Sequence, residues 1–489
     1  TWALTCGLGR KLLPELSWIA NRITPIELIR TRLALLPEQF EKEQVRAHET
    51  RLRAWEQQCK SEKSRRTCFK TVKPAPPPKV SFLDRPNGEK TGSITEQLRL
   101  LYDAWWSIFN PYDKDHTPAW GPFWGRYKTY VRKGKLMQMR KISPHKLYEK
   151  LLASPDVKAC GLDAWTVAEL KKLPFWWWER LADMLDLIEQ GAPWPEPLLT
   201  GYLSFIDKGA GAAALDQRPL TILSLVYRLW ASIRLEEINP WVRTWMHPKC
   251  AAVEGKGPED VWSSIASKLE AAKGRKCPLA GIAVDLKKCF DLVPRHLAIR
   301  VLTEMGADPR LTTALDSFYS SMRRRIRIGS ALGESFSSTS SIIQGDPLAM
   351  LLLNGIFSCF FYLLEAETDA CADGFADDAN ITALAPNTPR TQAAGRKWVV
   401  DTVQKSLSLL GEFGALTKQV VNAKKTLLWG ADPEMRKELG KLRFNGEALP
   451  VVNAARQLGA VGTPGHRLHG IGVPLQGPHA LPRARVPHA

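Results

Sequence analysis

The chain has 489 residues, with 68 lysines and arginines against 50 aspartates and glutamates, and therefore a formal net charge of +18. Hydrophobic residues make up 44% and charged residues 24%, which are ordinary globular values and exclude a globally disordered chain. The nine cysteines are scattered and form no CxxC pair, so we predict neither a disulfide framework nor a zinc finger, and a reducing compartment fits best. The positive excess indicates a polyanionic partner, for which nucleic acid is the commonest identity; simple solubility is the alternative.

The first part of the chain is predicted to be helical and charged over residues 1–73. A proline-rich segment that begins at Pro74 follows and predicts an extended linker over residues 74–92. The sequence begins at Thr1 without an initiator methionine or a secretion signal, from which we expect a fragment that is not secreted.

Residues 93–150 are predicted to be a nucleic-acid-binding extension. Within them, residues 117–148 contain no acid, and aromatic residues such as Trp120, Phe123 and Tyr127 alternate with basic ones. Cations that neutralise phosphates and rings that stack on bases are typical of single-stranded nucleic-acid binding. The alternative is a solvated basic surface whose rings face the core. The predicted contacts are Arg126, Lys128, Arg132, Lys133, Lys135, Arg140 and Lys141.

Residues 151–464 show a mixed pattern of strands and helices. The apolar run at 350–364 contains Asn354 and Ser358 and is too short to cross a bilayer, so we predict a buried helix and no membrane partner. Residues 465–489 lack periodicity and acids and are predicted to be a disordered tail.

Three acidic residues, at two places in the sequence, are the candidate metal-binding residues of this region. Asp285 ends a predicted buried strand, whereas Asp377 and Asp378 lie at the tip of a predicted short hairpin. Two adjacent like charges are unfavourable without a cation, and Mg²⁺ prefers carboxylate oxygens. Carboxylates from two strands can hold two metal ions for phosphoryl transfer, although an isolated Asp-Asp pair is more often an exposed turn.

Further motifs accompany these acids in a fixed order. Gln344-Gly345-Asp346-Pro347-Leu348 lies between them, 421–426 follows them, and 161–163, 205–208 and 217–220 precede them. In this order the motifs resemble those of a LINE-type (non-long-terminal-repeat retrotransposon) reverse transcriptase. The resemblance implies an α+β fold, with the fingers and mixed-sheet palm of a right-hand polymerase over 151–464, after a mainly helical basic extension. Few residues follow Gly459, so we expect the thumb to be truncated or absent.

The resemblance also implies roles for individual residues. Asp285 and Asp377, with Asp378 beside them, would hold two Mg²⁺ ions, with Mn²⁺ as the alternative, and Lys425 would protonate the leaving pyrophosphate. The implied deoxynucleotide site contains a steric gate, two triphosphate-binding cations and a turn beside the nascent base pair, which are Phe290, Lys208, Arg218, Gln344 and Gly345. Asp346 would add a negative charge near that site.

The partners implied by the resemblance are an RNA template, a DNA primer and deoxynucleoside triphosphates, in a ribonucleoprotein of the nucleus or cytoplasm. Arg323, Arg324 and Arg325 are predicted to follow the template backbone, with a solvated strand edge as the alternative. A second hypothesis for the whole chain is a retroelement remnant that binds RNA without turnover.

Overall fold

A computed structural model describes Arg53 and residues 82–112, 118–207, 211–386 and 391–453, together with strand backbone at 455–457 and 460–462. The predicted tail at 465–489, and the predicted helical segment at 1–73 apart from Arg53, lie outside the described residues. The chain divides into two compact units between residues 93 and 94. In the first, β1 (Leu83–Asp84) and β2 (Lys90–Thr91) form an antiparallel hairpin within the predicted linker.

The second unit alternates helices and strands along the chain. Its strands are β3 (Thr200–Asp207), β4 (Gln217–Ile222), β5 (Leu279–Val284), β6 (Leu286–Lys287), β7 (Arg323–Ile328), β8 (Ala331–Phe336), β9 (Cys371–Phe375), β10 (Asp378–Leu384), β11 (Val420–Val421), β12 (Leu427–Gly430), β13 (Arg443–Phe444), β14 (Glu447–Ala448), β15 (Val451–Val452), β16 (Ala455–Gln457) and β17 (Ala460–Gly462). Its helices are α1 (Ile94–Phe109), α2 (Trp120–Tyr127), α3 (Pro144–Leu152), α4 (Val167–Leu170), α5 (Phe175–Glu189), α6 (Leu225–Trp245), α7 (Pro258–Arg275), α8 (Cys289–Leu292), α9 (Arg295–Glu304), α10 (Pro309–Ser321), α11 (Ala349–Glu367), α12 (Gln392–Thr417) and α13 (Pro433–Leu439).

A five-stranded sheet occupies the centre of the second unit, in the order β15-β12-β5-β10-β9. Its pairs are antiparallel except for β12 with β15. All six residues of β5 are buried, because α12 packs on this strand and neighbouring strands flank it on both sides. Gly281 in β5 leaves room for Trp429, since a Cβ at this position would lie 2.4 Å from the indole ring.

A second, four-stranded sheet has the order β4-β3-β7-β8. The pair β3 and β7 is parallel, whereas β3 with β4 and β7 with β8 are antiparallel, and α1 packs on β7 and β8. Both sheets are thus mixed and covered by helices, which confirms the predicted combination of helices and mixed sheets.

Helix α11 forms the middle of the hydrophobic core. It is long and apolar enough to cross a membrane by length and composition, but 78% of its most apolar window is buried inside the molecule. Helix α9 crosses it closely at Gly355, where a Cβ would lie 3.1 Å from Leu302. The prediction of a buried helix at 350–364 is confirmed.

Residues 94–150 belong to the same compact unit as the rest of the described chain after residue 93. Helix α2 inserts Phe123 and Tyr127, both fully buried, into the core beside α11 and α12, and α3 packs against α5 and α6. The rings of Tyr127 and Phe413 meet edge to face at 6.4 Å. The segment predicted as an extension is therefore part of the core.

Candidate active site

The pairing of β10 with β5 brings the three acids to one end of the five-stranded sheet. Asp378 pairs with Phe375, so Ala376 and Asp377 form a two-residue turn, and Ala376 has the left-handed φ of +55° that such turns use. Ala379 pairs with Val284, which places Asp378 across from Asp285, the residue that follows β5. Asp377 therefore lies at the exposed tip, with Asp378 and Asp285 at the adjacent strand ends.

Electrostatics show that these carboxylates share one environment. The pKa of Asp378 is raised to about 6 by burial, and then by the negative charges of Asp377 and Asp285. Burial also raises the pKa of the Cys289 thiol well above its usual range, and the negative charges of Asp377, Asp291 and Asp285 add to this. A divalent cation would relieve such repulsion between carboxylates.

The donor types at this end of the sheet fit magnesium. Among the residues that the structure describes, no group of three or more His, Cys, Asp or Glu side chains is arranged to hold a metal ion by itself. Mg²⁺ is commonly bound through one or two protein carboxylates and completes its coordination with water and substrate phosphates. Asp285 and Asp377, with Asp378 beside them, are the residues that could hold it.

The loop after β11 is fixed directly onto Asp285. Asn422 donates from its side-chain amide to Asp285 Oδ2 at 2.8 Å and from its backbone N–H to the Asp285 carbonyl at 2.8 Å. Thr426 Oγ1 accepts the Asp285 N–H at 3.1 Å. Lys425 is exposed in the turn between these two residues. Asn422 orients the carboxylate; the sequence placed it within the 421–426 motif without assigning it a role.

The turn at Gln344 and Gly345 docks onto the edge of β4. The Gln344 carbonyl accepts the Thr221 N–H at 2.9 Å, and its side-chain amide donates to Asp291 Oδ2 at 3.0 Å. Gly345 has a φ of +116°, and a Cβ at this position would lie only 2.5 Å from the Thr221 carbonyl oxygen. Both the backbone conformation and this close approach require glycine.

A buried arginine lies behind this turn. Arg324 is only 2% exposed, stacks over the Phe109 ring at 4.4 Å and donates to Ser341 Oγ at 3.1 Å. Burial lowers its pKa to about 10, although the negative charge of Asp291 acts in the opposite direction. The prediction that Arg324 follows the template backbone is wrong, because alternation along β7 turns this side chain inward.

The neighbours of Arg324 on β7 differ in exposure. Arg323 is exposed, and Arg325 is half-buried, with its Nε donating to the Gly333 carbonyl at 2.9 Å. A template contact by these two residues stays a prediction.

Asp346, which follows the Gln344 turn, is buried in the core. It is 6% exposed and accepts hydrogen bonds from Tyr319 at 2.6 Å, Tyr227 at 3.0 Å and the Leu348 N–H at 3.0 Å. Burial raises its pKa, and these three hydrogen bonds oppose the rise. Asp346 therefore fixes the start of α11 and two buried tyrosines, and its effect on the nucleotide site stays a prediction.

Two of the remaining predicted nucleotide-site residues, Phe290 and Arg218, lie on elements that adjoin the Gln344 turn. Phe290, in α8, is half-buried against the core, and its carbonyl accepts the Ile342 N–H at 2.9 Å, which joins α8 to the segment before Gln344. Arg218 is exposed on β4 and pairs with Ile206 on β3. Lys208 lies outside the described residues.

The basic stretch does not form the predicted alternating surface. Phe123 and Tyr127 are fully buried, and Trp120, Trp124 and Tyr130 pack partly buried against the core. The inward orientation of the rings, which is one part of the alternative weighed from the sequence, is therefore confirmed.

Several cations of the stretch pair with acids from distant parts of the chain. Arg126 donates to Glu412 at 2.8 Å and to Glu367 at 2.5 and 2.9 Å, so it joins α2 to α11 and α12 and is not free for phosphate, contrary to prediction. Lys141 pairs with Asp183 at 2.7 Å. Nucleic-acid contacts stay a prediction for the exposed members, which are Lys128, Arg132, Lys133, Lys135, Arg140 and Lys141.

Comparison with known proteins gives one family. Residues 206–438 match the family model described as reverse transcriptase (RNA-dependent DNA polymerase). The matched range contains the three acids, the Gln344 turn and Asn422, and it implies a fingers and palm polymerase fold for this part of the chain. No curated protein matches the sequence.

Proposed function

We propose that this chain, which carries a reverse transcriptase domain at 206–438, is the RNA-directed DNA polymerase of a LINE-type retrotransposon. In this proposal it extends a DNA primer along an RNA template with deoxynucleoside triphosphates. The observation that carries the proposal is the pairing of β10 with β5, which gathers Asp285, Asp377 and Asp378 at one sheet end. The same function makes the protein part of a nuclear or cytoplasmic ribonucleoprotein.

The acids and their supporting loop perform the central task of the proposed mechanism. Two Mg²⁺ ions, or Mn²⁺, held by Asp285 and Asp377 with Asp378 beside them, would supply activation of the primer hydroxyl and charge stabilisation at the leaving pyrophosphate. Asn422 holds the Asp285 carboxylate in one orientation through its amide at 2.8 Å. In the exposed turn nearby, Lys425 would donate the proton that pyrophosphate takes up.

Nucleotide selection is assigned to the turn at Gln344 and to α8. Because Asp291 holds the Gln344 amide and Thr221 holds its carbonyl, the turn is a rigid support for the nascent base pair. The ring of Phe290 would exclude a ribose 2′-hydroxyl and so favour deoxynucleotides. Arg218, with Lys208, would bind the triphosphate, for which guanidinium groups are well suited.

Primer extension tests the proposal. Purified protein is given a primed RNA template, deoxynucleotides and Mg²⁺, and we expect incorporation that Asp377→Ala abolishes. Asp401→Ala removes an exposed aspartate on α12, outside the acid cluster, and should leave incorporation unchanged. RNA binding without incorporation by the wild type, with either Mg²⁺ or Mn²⁺, would overturn the proposal and favour a non-catalytic remnant.

A further inference from the structure

A pocket of about 160 Å³ lies between α3, α4 and α6, and Pro347 also lines it. Half of its lining is apolar, and the rest consists of cations and small hydroxyl residues. The apolar members are Leu151, Val167, Leu225, Leu229 and Pro347, and the polar members are Lys150, Ser154, Lys158, Arg228 and Ser232. The lining therefore contains three positive charges and no acid.

The three cations differ in how far they are already paired. Lys150 forms a salt bridge with Glu236, which lies outside the lining. Lys158 donates from Nζ to the neutral Ser154 Oγ at 3.1 Å. Among the contacts of the described residues, its ammonium group has no carboxylate partner.

One guanidinium nitrogen of Arg228 donates a hydrogen bond, and another has no hydrogen-bond partner in the described part of the chain. Its Nη2 donates to the Ala159 carbonyl, whereas its Nε is buried without a hydrogen-bond partner within the described part of the chain. Asp163 is the nearby acid that acts on Arg228, and it accepts a hydrogen bond from Ser224 Oγ at 2.6 Å. Asp163 Oδ1 is likewise buried without a hydrogen-bond partner, so one nearby carboxylate acts on Arg228 without forming a salt bridge to it in the described part of the chain.

The pKa values of both Lys158 and Arg228 are lowered in this pocket. The Lys158 side chain is largely exposed, yet desolvation and then the charges of Arg228 and Lys150 lower its pKa. Burial lowers the pKa of Arg228, and Asp163 only opposes this change. An anion between Lys158 and Arg228 would relieve the repulsion that Lys158 experiences from Arg228 and Lys150.

We propose that this pocket binds a phosphate group between Lys158 and Arg228, and that the backbone of single-stranded RNA supplies it. The exposed side chain of Lys158 leaves the site open to a long ligand, and the apolar wall can contact a sugar or base beside the phosphate. Pro347 lines the pocket and follows Gln344 by three residues, so a ligand in the pocket would contact the segment next to the turn that supports the nascent pair. Only the RNA source of the phosphate rests on the proposed function.

Two measurements on the full chain test this site, with Lys158→Ala as the variant. The first is thermal unfolding in inorganic phosphate against chloride at equal ionic strength, where phosphate should stabilise the wild type more than the variant, beyond the general stabilisation that this salt gives both. The second is the affinity for labelled single-stranded RNA at a series of salt concentrations. Loss of one phosphate contact should reduce the slope of log affinity against log salt by about 0.7.

Matched variants separate charge at this site from charge in general. Lys172→Ala removes an exposed lysine that follows α4 outside the pocket and should leave both readouts unchanged. Lys158→Arg keeps the charge and should retain both readouts. If the arginine variant behaves like the alanine variant, positive charge is not what the pocket uses, and the proposal is overturned.

The two measurements also distinguish the sources of phosphate. Stabilisation by inorganic phosphate with an unchanged RNA slope in Lys158→Ala would overturn RNA as the ligand and leave a free phosphate in its place. No effect in either measurement would overturn the site itself. A reduced RNA slope together with a failed primer extension would support the pocket while refuting the polymerase.

Discussion

Replacing Gly345 by alanine should detach the Gln344 turn from the four-stranded sheet. Two costs add at this position: the φ of +116° is unfavourable for alanine, and the new Cβ would lie 2.5 Å from the Thr221 carbonyl oxygen. The conformational cost is about 1–2 kcal/mol. Relief of the clash requires the turn to move away from β4, which breaks the Thr221 N–H bond to the Gln344 carbonyl.

The cost of the lost Thr221 hydrogen bond can be estimated from burial, and a second glycine with positive φ provides a control for the conformational cost. Thr221 is 3% exposed, so its unpaired N–H would cost about 1–3 kcal/mol more, for a total of about 2–5 kcal/mol. Gly329, in the turn between β7 and β8, has a φ of +58° and open space around its Cβ position. Gly329→Ala should therefore cost only about 1–2 kcal/mol.

Urea denaturation and primer extension measure the two consequences. We expect Gly345→Ala to have the lower denaturation midpoint and to lose most nucleotide incorporation, because the displaced Gln344 no longer supports the nascent pair. Gly329→Ala should retain incorporation. Equal midpoints for the two variants, or full incorporation by Gly345→Ala, would show that the contact with β4 does not position the turn.

Three further predictions concern buried polar groups and the acid cluster. Tyr319→Phe removes a charge-assisted bond to buried Asp346 and should lower the free energy of unfolding by about 1.5–3 kcal/mol in urea titrations; an unchanged value would contradict the role of that network. Burial and the neighbouring acids raise the pKa of Asp378 from 3.8 to about 6, so without divalent ions wild-type stability should fall as pH rises through this interval. Because Asp378 is partly exposed and solvent screens its charge, we expect a fall of only about 1–2 kcal/mol. Asp378→Asn should reduce this fall, and parallel pH profiles for the two proteins would refute the prediction. Arg126→Ala breaks the ion pair with Glu367 and should lower the thermal midpoint without changing the salt slope of RNA affinity. A reduced slope would instead indicate that Arg126 makes the phosphate contact predicted from the sequence.

Local sequence patterns predicted much of the candidate site. Six small and apolar residues predict the buried strand before Asp285, and the spacing around Asp377 and Asp378 predicts a tight hairpin; the structure contains both. Period-two alternation and turn geometry act over a few residues, so they can be read without tertiary information. The buried helix α11 could be predicted from its apolar run for the same reason.

Local patterns were thus sufficient to predict the strands, the hairpin and the buried helix, whereas the burial and pairing of polar groups followed from tertiary contacts. Asp346 follows the Gln344 turn directly, yet Tyr227 and Tyr319, which are distant in sequence, donate hydrogen bonds to its buried carboxylate. Arg126 lies in a stretch without acids, yet acids far along the chain neutralise it. Burial and ion pairing depend on residues that are distant in sequence and adjacent in space, and no local pattern contains that adjacency.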